Sequence, residues 1–194
     1  MKNLKLMAFA ALTLITVSAC SNDDDTATLV PVNEEEVITT VRAVLTPQGG
    51  GTAITLTSRD LDGDGPDAPV NTVSGSFIAG TVYTGEVSFL NELATPAENI
   101  TNEVEEEGRD HQLFYTQTGG NLGTFTYNDT DTSGNAIGLR FKYTAATTPA
   151  AGTLTITLIH QPDKGANGVA QGIPTNAGGN TDAQVAFAVT VVNP

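Results

Sequence analysis

From Val37 to Val191, apolar side chains recur at every second position in short runs, and turns rich in glycine, asparagine and proline separate the runs. A period of two belongs to strands with one buried face, because successive side chains point to opposite sides of a sheet. Val37, Thr39, Val41, Ala43 and Leu45 line one face of a first strand, which Pro47 and Gly49-Gly50-Gly51 end. Ile54 and Leu56 open a second strand. Val70 to Phe77 gives a short strand, and Val82 to Leu90 a clearer one with Val82, Val87 and Phe89 inward. Gln112–Gln117, Leu122–Tyr127 and Leu139–Tyr143 follow, the last two flanking a long hairpin connection. Leu154, Ile156 and Leu158 alternate with threonines. A Gly- and Asn-rich loop then runs from His160 to about Asp182, and Val185, Phe187, Val189 and Val191 close the pattern. Thr95-Pro96-Ala97-Glu98 has the form of a capping box with proline at the first helical position, so a short helix through Val104 to Gly108 is expected. Eight or nine strands at this spacing predict an all-β domain over residues 37–194. The expected architecture is an immunoglobulin-like two-sheet sandwich with one short helix.

The N-terminal residues follow different rules. Lys2 and Lys5 precede an apolar run from Leu6 to Val17, too short to span a bilayer. Val17-Ser18-Ala19 then leads into Cys20, the only cysteine. This is the form of a bacterial lipoprotein signal, in which residues 1–19 are removed and Cys20 is lipidated; the competing reading is an ordinary secretory signal with a chance cysteine. Residues 20–36 read as an acidic, flexible tether, from Asp23-Asp24-Asp25 through Pro31 to Glu34-Glu35-Glu36. An acidic run directly after the lipidated cysteine resembles the surface-export signal of Bacteroidota lipoproteins, and a generic solvated linker has the same composition. Asp25-Thr26-Ala27 also resembles a short O-glycosylation motif of that group. The expected place is the outer membrane, lipid-anchored and facing the exterior.

The formal charge of −14 becomes two units more negative once Lys2 and Lys5 are removed. Such a chain repels phosphates, which argues against nucleic-acid binding, and repels anionic head groups, which leaves the lipid on Cys20 as the anchor. A lipidated single cysteine also rules out a disulfide, so packing, hydrogen bonds or bound ions must hold the domain.

Three stretches carry candidate chemistry. Asp60, Asp62 and Asp64 before Gly65 match the opening of a calcium loop, where alternate carboxylates turn onto one cation. Asn71 stands where the closing glutamate belongs, and Asp67 is the available substitute; the alternative is a polar turn. Asp129, Asp131 and Ser133 before Gly134 form a weaker version, read as a hairpin turn. Glu103 to His111 holds five carboxylates and a histidine, suited to a metal, a cationic partner or a solvated helix end. Within it Glu107, Asp110 and His111 are candidate ligands. His160 is the fourth, provided the two histidines lie at the same end of the domain. There is no P-loop, G-x-G-x-x-G, C-x-x-C or G-x-S-x-G, and nucleophilic catalysis has few candidates, so no enzyme activity is expected.

Asn33-Glu34-Glu35-Glu36-Val37-Ile38-Thr39-Thr40-Val41, Arg59-Asp60-Leu61-Asp62-Gly63, Phe89-Leu90-Asn91-Glu92, Glu106-Glu107-Gly108-Arg109-Asp110-His111-Gln112 and Asn176-Ala177-Gly178-Gly179 together resemble one family. It comprises small Bacteroidota lipoproteins, usually labelled "type 1 periplasmic binding fold superfamily" and encoded beside TonB-dependent receptors. That label denotes a two-lobed α/β fold, whereas these residues read as β structure. Other members carry Arg-His-Glu-Pro where this chain has Ile159-His160-Gln161-Pro162. The resemblance implies a non-catalytic binding accessory to a TonB-dependent receptor in nutrient or metal-ion uptake. The alternative is a structural or adhesive surface module stabilised by calcium.

Overall fold

The computed structural model describes residues 36–63 and 65–194. The signal, Cys20, Asp23, Asp24, Asp25 and Asp64 lie outside the described residues. The elements run β1 (Thr40–Pro47), β2 (Ile54–Arg59), β3 (Val70–Val73), β4 (Phe77–Ile78), β5 (Val82–Asn91), β6 (Glu98–Asn99), α1 (Ile100–Glu106), β7 (His111–Gly119), β8 (Gly123–Tyr127), β9 (Arg140–Ala145), β10 (Ala150–His160) and β11 (Asn180–Val192). They form two sheets. One has seven strands in the order β3-β2-β1-β5-β9-β8, with β6 on β5; the other has four, β4-β11-β10-β7. Among the described residues no helix is long and apolar enough to cross a membrane.

Alternation built these strands. Val41, Ala43 and Leu45 of β1 are buried, as are Leu154, Ile156 and Leu158 of β10 and Phe187, Val189 and Val191 of β11. All nine belong to one apolar core that the two sheets enclose. Its aromatic members are Phe77, Tyr83, Phe89, Phe141, Tyr143 and Phe187, with Tyr115 and Phe125 packed against them and Phe77 meeting Tyr83 edge to face at 5.3 Å. A second apolar cluster joins Phe114 of β7 and Ile159 of β10 to Val169 and Ala177 of the loop between β10 and β11. The loop between β10 and β11 therefore covers the far face of the four-stranded sheet at this end.

Four local expectations change. Val82 is only partly buried and does not share the inward face of β5, which Tyr83, Val87 and Phe89 line. Val37 is 53% exposed and precedes β1, so the buried face begins with Thr39. The stretch from Val70 to Phe77 is two strands, because Ser74-Gly75-Ser76 carries the chain from the seven-stranded sheet to the four-stranded one. The helix starts at Ile100 instead of beside Pro96. Glu98 and Asn99 pair with Asn91 and Leu90, so their backbone is committed to the sheet, and the Asn99 side chain then caps α1 by accepting from the Thr101 N–H. The face of α1 that is buried is Ile100 and Val104, one turn apart.

Candidate metal centre

The two histidines come together because of strand register. β7 and β10 pair antiparallel with His160 directly opposite His111. His111 shares its face with Leu113 and His160 with Leu158, so both rings turn between the sheets at the last rung of the ladder. The ring centroids are 4.7 Å apart. His111 is fully buried and His160 nearly so.

Two carboxylates complete the group. The β10–β11 register shifts between Leu158 and Ile159: Leu158 opposes Ala183, whereas Ile159 opposes Thr181. Asp182 is the extra residue of this bulge, which turns it toward the histidines although its neighbours on β11 follow the alternation. Glu36 arrives from the other direction, ahead of β1. The side chains of Glu36 and Asp182 are 3% and 1% exposed. One donor atom from each of Glu36, His111, His160 and Asp182 lies within 4.8 Å of the others, so this buried group can hold a metal ion.

The separations are those of a small coordination sphere. His111 Nε2 is 2.9 Å from Glu36 Oε1 and 3.7 Å from Asp182 Oδ2; His160 Nδ1 is 3.9 Å from Glu36 Oε2 and 3.7 Å from Asp182 Oδ1. Ligands about 2.0–2.1 Å from a tetrahedral ion lie roughly 3.3 Å from one another, which falls inside that spread. The hydrogen bonding on the far side of His111 suits the same role. Its Nδ1 is 3.2 Å from the Glu107 carbonyl, which only accepts, so a proton on Nδ1 is satisfied there in the tautomer that leaves Nε2 to face the carboxylates as a ligand. Either a second proton or a cation must then sit between Nε2 and Glu36. Among the described residues, Glu36 Oε2 is buried without a hydrogen-bond partner.

The chain is shaped for this approach on both sides of His160. Gln161 takes a positive φ of 50°, and its N–H donates to the Asp110 carbonyl at 2.6 Å, which ties the strand end to the turn before His111. Gly179 has φ 72°, and a β-carbon there would run into the His160 carbonyl, so only glycine lets the loop return this close. Gln112, beside His111, donates to the Val169 carbonyl at 2.9 Å and holds the covering loop down.

Of the residues singled out in the sequence, His111 and His160 meet. Glu107 and Asp110 contribute their carbonyls to this corner, while their side chains lie outside the group and both residues are exposed. Glu36 falls in the acidic run of the tether and Asp182 at the end of the Gly- and Asn-rich loop, and neither has a recognisable ligand spacing in the sequence. In the acidic loop, Asp60 Oδ1 accepts from the Gly63 N–H at 2.9 Å and Asp62 Oδ2 from the Asp67 N–H at 3.1 Å. In the hairpin connection, Asp129 accepts from Gly138 and Arg140, and Asp131 from Ser133 and Asn135, as a turn requires. Lys164 Nζ is 3.1 Å from Asp131 Oδ2 and also donates to the carbonyls of Gly108 and Ala136. The chain matches no family model, no curated protein and no solved structure.

Proposed function

We propose that this chain is a surface-exposed outer-membrane lipoprotein, anchored through Cys20, whose domain holds one divalent transition-metal ion and serves a TonB-dependent receptor in metal-ion uptake without catalysing a reaction. The observation that carries this reading is the buried group of two imidazoles and two carboxylates. Zinc suits the donor set best. Calcium prefers six to eight oxygens, and copper(I) prefers sulfur, whereas mixed imidazole and carboxylate ligands at these separations favour a tetrahedral ion. Four protein donors leave no open position for a substrate, which supports a binding role over catalysis. The lipoprotein pattern around Cys20 and the acidic run Asp23-Asp24-Asp25 support the placement. The two sheets around one core support the narrower description of the domain as an immunoglobulin-like sandwich.

Purification of the protein from its native membrane, with metal analysis and identification of co-purifying chains, tests the proposal. One zinc per chain together with an outer-membrane receptor is the expected result. Absence of a transition metal refutes the binding role. Recovery of calcium with binding to host or matrix surfaces instead supports a calcium-stabilised adhesive module.

A further inference from the structure

Three of the four donors belong to one rigid frame. His111, His160 and Asp182 sit on β7, β10 and β11, which are hydrogen-bonded neighbours in the four-stranded sheet. Glu36 does not. It is 75 residues from its partner His111 in the chain, precedes the first strand, and lies in a stretch, residues 36–39, that forms no strand of its own. Little apolar packing holds residues 36–38 in place, ahead of Thr39, which is buried and hydrogen-bonded to Leu90, Glu92 and Asp60. Val37 is 53% exposed, and Ile38 is only partly buried against the core. Yet the Glu36 carboxylate is buried, with Oε2 lacking a hydrogen-bond partner among the described residues. A buried carboxylate is costly unless a cation or donors compensate it.

We infer that the N-terminal segment closes the metal centre: His111, His160 and Asp182 form a three-donor seat on the sheet, and Glu36 is the fourth donor that seals the ion in and is itself held by the ion. The inference rests on the metal reading above and adds regulation to it. Occupancy and docking of residues 36–38 are linked, so each strengthens the other by the same factor. Withdrawal of Glu36 turns a closed four-donor site into an open three-donor one, which has a free position for exchange.

The test uses the mature chain with zinc alone as the probe. Zinc stoichiometry is measured by equilibrium dialysis, amide hydrogen exchange by mass spectrometry over residues 36–38, and zinc release by transfer to a chromogenic chelator. In the unsubstituted protein, zinc should slow exchange at 36–38 about tenfold or more relative to the chelated protein. Glu36→Gln should still take up one zinc at saturation, lose that protection, and release zinc roughly tenfold faster. Glu36→Asp, one methylene shorter, should release it faster as well. Asp182→Asn should weaken binding yet keep the protection at saturating zinc, because it alters the seat and leaves the closing donor. Zinc bound with exchange and release unchanged in Glu36→Gln overturns the closure and leaves the metal site standing. Loss of all binding in Glu36→Gln, with the fold intact by circular dichroism, overturns the three-donor seat. No zinc on the unsubstituted chain overturns both readings.

Discussion

Zinc should raise the melting temperature of this domain, and Asp182→Asn should remove most of that rise. A ligand that binds only the folded state stabilises it by RT ln(1 + [L]/Kd), so zinc at about 100 times Kd contributes about 2.7 kcal/mol. For a domain of this size each kcal/mol moves the midpoint by about 2–4 °C, which gives a rise of about 8 °C. Asp182 is 1% exposed in its side chain and places both oxygens 3.7 Å from the histidines, so its replacement by the isosteric amide removes a charged ligand without opening a cavity. If the affinity falls about a hundredfold, the same zinc concentration is only equal to Kd, and the contribution drops to about 0.4 kcal/mol, or about 1 °C. Differential scanning calorimetry of both proteins, each with zinc and with chelator, reads the two increments directly. Each increment is taken against the same variant's own chelated baseline, because removing a buried charge shifts that baseline too. Magnesium at equal concentration controls for screening of a very acidic protein. An equal zinc increment in both proteins, or none in either, refutes the assignment of Asp182 as a ligand.

Other perturbations read other parts of the structure. The Asp131 and Lys164 side chains are 1% and 6% exposed, so Asp131→Ala should cost about 3 kcal/mol, or about 9 °C, by leaving a buried ammonium without its carboxylate. Lys164→Met should cost less, since Asp131 keeps the N–H groups of Ser133 and Asn135. Burial pushes the Asp131 carboxyl up, but the Asn135 N–H, Lys164 and the Ser133 N–H outweigh it and hold it below the ordinary aspartate range. That stabilisation is present above the unfolded-state value and is lost as the pH falls through the folded one, so the melting temperatures of the native protein and Asp131→Asn should converge in acid. Burial lowers the Lys164 ammonium more than its carboxylate neighbours raise it. Gly85→Ala places a methyl group in the ring of Phe141 and should cost about 2 kcal/mol by chemical denaturation. Cys20→Ser should release the protein from membranes on fractionation, and Asp62→Asn should abolish any calcium-specific thermal shift, with magnesium as control, if the acidic loop holds that ion.

Strand identity was legible because burial on one face is written into neighbouring residues. Val41, Ala43 and Leu45, or Leu154, Ile156 and Leu158, declare a strand without reference to the rest of the chain. The two histidines were visible too, one before an apolar triplet and one at the end of the cleanest strand. Their meeting depended on β7 and β10 pairing so that residue 111 faces residue 160, and register is a property of two strands together. The start of α1 slipped for a similar reason: the local capping signal at Thr95 lost to sheet pairing of Glu98 and Asn99. Glu36 and Asp182 were beyond reach. One lies in an acidic run that has the composition of a solvated tether, and the other owes its direction to a bulge that breaks the alternation around it. The sequence by itself determined most of the strands, though not β6 or the break between β3 and β4, and that the chain is acidic. Tertiary structure decided which charged residues are buried together, because burial of a carboxylate depends on partners far away in the chain and not on its neighbours in sequence.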